Sequence, residues 1–148
     1  MTPEQFLSGR LKGFGCVQGP TGRVLRRYTV ELHGVWSDEH RALHLDETYI
    51  YRGREDDPQK RSWVVHTDEE GFVLGQDALQ AARLRGRMDG EDLRMVFDRP
   101  SRPGGRTISR QTVRLVTVGP DRIMMLGRLL RFGVPVASMH TALIREAD

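Results

Sequence analysis

The chain has 148 residues, a single-domain length, and its 38% hydrophobic and 29% charged fractions exclude an intrinsically disordered protein. Its net charge of +3 is spread evenly among acids and bases. A dedicated nucleic-acid binder gathers its charge on one face, so no nucleic-acid partner is expected.

Almost every segment alternates polar and apolar residues at a period of two between turn residues, the pattern of half-buried strands. A brief helix is expected near residues 3–8. The run from Leu7 to Gln18 places Leu11, Gly13, Gly15 and Val17 on one face, and Gly19-Pro20-Thr21-Gly22 reads as a tight turn. Val24–Trp36 is the clearest strand, with Val24, Tyr28, Val30, Leu32 and Trp36 on one face and Arg27, Thr29, Glu31 and His33 on the other. A turn through Ser37-Asp38-Glu39 leads to Leu43–Tyr51, which aligns Leu43, Leu45, Glu47, Tyr49 and Tyr51. The charged loop Gly53–Pro58 precedes a strand over Arg61–Thr67, and Asp68–Gly71 precedes a short one over Phe72–Leu74.

Residues 77–82 have helix-friendly composition. Arg83–Met88 then alternates strictly, with Arg83, Arg85 and Arg87 facing outward. Asp89-Gly90 is a strong hairpin signal, from which Leu93–Phe97 returns. After a loop holding Pro100, Pro103 and Gly104-Gly105, strands are expected over Thr107–Val118, Ile123–Phe132 and Val134–Ile144. There is no βαβ alternation and no internal repeat. The expected fold is all-β: a single antiparallel up-and-down barrel over residues 1–148, with about nine or ten strands whose closure removes exposed edges.

The ordered set Phe6–Gly15, Arg26-Arg27-Tyr28-Thr29-Val30, Gly34-Val35-Trp36, Leu45–Tyr51, Arg61-Ser62-Trp63 and Arg131-Phe132-Gly133 carries a family likeness. It resembles an uncharacterised family of small proteobacterial proteins, many of them predicted lipoproteins. The resemblance implies a lipocalin-like, calycin-type barrel and brings no known activity. The lipidated signal sequence of many members is absent here, as is the family's late Asp-Asp-Trp-Met-Tyr run. The start, Met1–Phe6, has neither a basic nor an apolar leader, and no apolar run approaches the roughly 18 residues of a spanning helix. A cytoplasmic location is therefore expected, or an envelope one if a further N-terminal segment precedes this chain.

Strand parity carries the functional expectation. Arg26 shares a face with Tyr28, Glu47 with Tyr49 and Tyr51, and Arg61 with Trp63. If these faces point inward, one carboxylate and two guanidiniums lie inside a barrel among aromatic rings. A buried charge is costly unless paired, and arginine offers a planar fork that suits a carboxylate. One reading is a Glu47–Arg salt bridge that fixes strand register. The other is a pocket lined by Arg26, Tyr28, Glu47, Tyr49, Tyr51, Arg61 and Trp63, whose spare arginine holds the anionic head of a small apolar or amphipathic ligand. The second is the functional expectation, as non-enzymatic binding with no catalytic residue, metal or resident cofactor assigned.

Two alternatives accompany it. Gly133–Arg145 is similar to the last strand of the haem-binding nitrobindin barrels, which implies His140 as an axial iron ligand. That match is offset by about one residue after Pro135, and a one-residue slip turns a side chain to the other face. The second alternative is a solid-cored barrel whose outer Arg83, Arg85 and Arg87 row, extended by Arg94, meets an anionic membrane or RNA surface. The single cysteine, Cys16, excludes an intrachain disulfide framework and is expected as a small buried apolar residue. His40 and His44 with Asp38 match no zinc-ligand spacing and read as a solvated turn.

Overall fold

The structure, a computed structural model, describes residues 2–77, 82–100 and 108–147. A short helix, α1 (Pro3–Leu7), precedes β1 (Gly9–Gln18), β2 (Val24–Ser37), β3 (Ala42–Tyr51), β4 (Gln59–Thr67) and β5 (Phe72–Asp77). The chain continues through β6 (Ala82–Asp89), β7 (Asp92–Pro100), β8 (Ile108–Gly119), β9 (Arg122–Arg131) and β10 (Val134–Arg145). Each strand pairs antiparallel with its neighbours in sequence, and β1 closes the barrel against β10. The fold is the all-β closed barrel that the alternation predicts.

Differences lie at element ends. β7 runs to Pro100 rather than stopping at Phe97, and β5 extends to Asp77. Asp77 and Ala82 of the helix-friendly stretch are strand residues, while 78–81 fall outside the described residues, as do Thr107 and the Pro103-Gly104-Gly105 loop. A register shift between Pro135 and Ala137 sets the parity of β10. Past it, Thr141 and Leu143 are buried inside, whereas His140 and Ile144 are exposed outside.

The inner faces fill one half of the barrel. Leu11, Val30, Leu43, Val65, Leu93 and Leu143 are all buried there, as alternating strands that bury one face require. α1 plugs that end. Thr2 caps it, its hydroxyl accepting from the Gln5 amide at 3.3 Å while Gln5 Oε1 accepts from the Thr2 amide at 2.8 Å. Phe6 and Leu7 are completely buried beneath it. β2 passes so close that a Cβ at Gly34 would collide with the Leu7 carbonyl. From the end of β10, Arg145 donates to the carbonyls of Gln5 at 3.1 Å and Phe6 at 2.9 Å, and also to that of Ser8. These bonds satisfy carbonyls that a helix end leaves open. The β1–β2, β3–β4 and β9–β10 connections lie at the opposite end of the barrel.

Candidate functional site

At the end away from α1 the barrel is hollow, with a chamber of about 760 Å³. The arc β9–β10–β1 supplies Leu129, Ala137, Met139 and Val17, an apolar wall. The arc from β2 to β4 supplies Arg26, Tyr49, Tyr51 and Arg61, and β7 adds Arg99. Altogether seven arginines line the chamber against a single carboxylate, Asp57, which lies 3.5 Å from Arg54. The other six make no ion pair with any described residue.

The outside of the barrel is arranged differently. Arg94 pairs with Asp89 at 2.8 Å, Arg110 with Asp98 at 2.8 Å and Arg114 with Asp92 at 2.8 Å. Three exterior arginines thus have aspartate partners, while six of the seven at the chamber have no carboxylate partner among the described residues. Exposed pairs of the first kind contribute little to stability. A cluster of the second kind concentrates positive charge at the chamber.

Tyrosines form one side of the chamber floor. Tyr49 and Tyr51 stack with centroids 6.3 Å apart, and the Arg26 guanidinium lies 5.6 Å from the Tyr51 ring centre, a cation–π distance. Tyr28 packs edge-on beneath both, at 5.4 Å from Tyr49 and 5.6 Å from Tyr51. Its hydroxyl shares a 2.5 Å hydrogen bond with Thr141. Burial pushes the Tyr49 phenol well above its usual pKa, and the nearby Glu47 carboxylate adds to the rise.

Below the chamber lies an annex of about 10 Å³, room for one water. It shares Arg61, Arg99 and Gln111 with the chamber and adds Trp63, Phe97 and Ser109. The Trp63 ring meets Phe97 edge-on at 5.2 Å. Its buried indole N–H has no acceptor in hydrogen-bonding geometry, although it lies close enough to Glu47 to favour the carboxylate. Burial raises the Glu47 pKa, opposed in part by Arg61 and then by Trp63, and Asp77 adds to the rise. Glu47 and Arg61 are direct partners across β3 and β4, yet no contact ion pair joins them. The register-fixing salt bridge is replaced by a longer-range attraction, because Arg61 extends upward to the chamber.

Of the residues read from parity, Arg26, Tyr49, Tyr51 and Arg61 line the chamber, whereas Tyr28, Glu47 and Trp63 form the layer beneath. The structure adds Arg99 and Arg131, which parity could have found. Each continues an inward row, Leu93-Met95-Phe97-Arg99 on β7 and Ile123-Met125-Gly127-Leu129-Arg131 on β9. Arg52 and Arg54 sit in a loop with no periodicity to reveal them. His140 is exposed on the outer face, its Nε2 3.2 Å from Ser138 Oγ, so its imidazole does not reach the interior. Cys16 is also on the outer face and half-buried, between Arg27 and His140 in register, rather than inside the core. Arg83, Arg85 and Arg87 face outward as expected, with Arg94 directly opposite Arg87.

Residues 1–145 match the family described as "Protein of unknown function (DUF3833)". The chain belongs to the DUF3833 family. No curated protein sequence matches it. Among solved structures, this DUF3833 barrel is similar to the S-type phycobiliprotein lyase CPES from Guillardia theta, with a TM-score of 0.67 at 15% identity, covering 100% of this chain and 94% of that one. It is also similar to a DUF3598-family protein of unknown function from Nostoc punctiforme, with a TM-score of 0.55 at 11% identity, covering 99% of this chain and 50% of that one. Likeness at such identities is a likeness of fold. The DUF3833 chain has the lipocalin-like barrel architecture. Among the described residues no helix is long and apolar enough to cross a membrane.

Proposed function

We propose that this DUF3833 barrel binds and carries a small amphipathic anion, without turning it over. The observation that carries this reading is the chamber of about 760 Å³ with an apolar arc and seven arginines facing a single carboxylate. Ligand cavities of such size, largely apolar with a few oriented polar groups, suit one small molecule. Apolar groups of the ligand would lie against Val17, Leu129, Ala137 and Met139, and its acidic group among Arg26, Arg61 and Arg99. Tyr49 and Tyr51 would supply rigid aromatic area between the two. The layer of Tyr28, Glu47 and Trp63 would support this floor rather than touch ligand.

Native mass spectrometry on protein purified gently from its own host tests the reading, with an absorbance spectrum of the same sample. A reproducible adduct lost on denaturation is expected, and its mass would identify the ligand. A clean apo mass, together with failure of any anionic amphiphile to displace anilinonaphthalene sulfonate, would overturn it.

A further inference from the structure

We propose that the acidic group of the ligand is a phosphate, grasped by Arg61, Arg99 and Arg131. This rests on the binding reading above and names the class of head group. The three arginines come from β4, β7 and β9, separate parts of the barrel wall, and all three line the chamber. Arg61 and Arg99 also border the annex together with Leu129, and Arg131 follows Leu129 on the same inward row of β9. Arg99 is half-buried, and its guanidinium is held below its usual pKa first by burial, then by Arg61, with Arg131 adding to the effect.

A carboxylate head brings one charge and two oxygens, enough for one guanidinium fork. It would leave the other two cations crowded and unmatched. A phosphomonoester brings a charge of about −1.5 to −2 and three acceptor oxygens. Three forks approaching from three strands fit that group. Glu47 stands in register with Arg61, but it lies in the buried layer below and makes no contact ion pair with it. The chamber's one carboxylate, Asp57, is taken up by Arg54. The cationic excess is therefore larger than any monoanion offsets. Leu129 and Met139 stand beside the cluster, so an alkyl or polycyclic body has an apolar wall next to its head.

The test compares ligands with one tail and different heads. Decyl phosphate, decanoate and decyl maltoside, all below micelle-forming concentrations and at mildly alkaline pH, are titrated calorimetrically into the full chain. Inorganic phosphate is titrated alongside. Decyl phosphate is expected to bind about tenfold or more tightly than decanoate, since a charge-assisted bond separates them. Arg99→Met should reduce it to the decanoate level while the protein stays folded, because the substitution removes a repelling cation. Arg131→Met, at the exposed end of β9, gives the same comparison if Arg99→Met does not fold. Equal affinity for both heads, or a preference that survives both substitutions, overturns the phosphate assignment and leaves the binding reading standing. No binding by any amphiphile overturns both. Inorganic phosphate that binds as tightly as decyl phosphate would uphold the phosphate site and make the free anion its ligand; weaker binding makes the tail part of recognition.

Discussion

The phenol of Tyr28 on β2 reaches over β1 to the hydroxyl of Thr141 on β10, 2.5 Å away and wholly buried. The intervening residue is Gly15, where a Cβ would stand 2.7 Å from the Tyr28 oxygen and 2.9 Å from the Thr141 oxygen, and would collide with the His140 carbonyl. The glycine is thus what lets the two hydroxyls meet. Gly15→Ala should destabilise the fold by about 1–3 kcal/mol, the range for overpacking a tight site. Tyr28→Phe should cost about 1 kcal/mol through the lost hydrogen bond. Urea unfolding measures both, and a double mutant that loses less than the sum would show that they act on one contact.

Glu47 makes a pH prediction. Burial raises its pKa above the ordinary 4.5, so the folded state keeps that proton longer than the unfolded chain does. Between the two pKa values the folded state binds more protons, and stability falls as pH rises through that window. Glu47→Gln should remove the fall. The variant should match the parent near pH 4 and exceed it near pH 8 in urea midpoint. A variant weaker than the parent at the higher pH would show that attraction to Arg61 outweighs burial.

The plug offers a separate test. Phe6 is fully buried, and Phe6→Ala should cost about 3–5 kcal/mol, the usual range for emptying a phenyl site. Arg145→Met removes the donors that hold the helix carbonyls and should cost about 1.5–3 kcal/mol, the scale of charged hydrogen bonds. Hydrogen exchange should then speed up in the α1 amides before those of the β2–β3 pair.

The two tryptophans separate cleanly as reporters. Trp36 is partly exposed, its indole bonded to Asp38 at 2.8 Å, whereas Trp63 is buried at the annex beside the chamber. In a Trp36→Phe variant the emission should be blue-shifted, and it should change when an anionic amphiphile is added. Unaltered emission at saturating amphiphile would place binding away from Arg61 and Arg99.

Much of this arrangement was legible in the alternation. Glu47, Tyr49 and Tyr51 lie on one inward row because β3 keeps an unbroken period of two from Leu43 to Tyr51. Arg99 escaped because Pro100 reads as a terminator, which shortened β7 to Phe97 and cut the inward row one member early. The outward turn of His140 depends on the register shift at Pro135, a backbone irregularity that side-chain pattern does not encode. Cys16 shares the parity of exposed Phe14, and small size alone was a poor guide to its depth. The chamber itself was invisible to periodicity. Inward faces read alike whether side chains meet in the middle or leave room.

The helix wedged under the barrel gives the molecule the form of a flask rather than a pipe. With Phe6 and Leu7 sealing the base and every described strand stitched to its neighbours, a ligand bound as proposed would enter and leave through the same neck. Such a flask has no through-flow, and a second molecule could not push the first out from behind. On that reading any recipient would meet the ligand at the rim, where Arg26 and Arg131 stand, and one that covered the rim would set the rate of unloading.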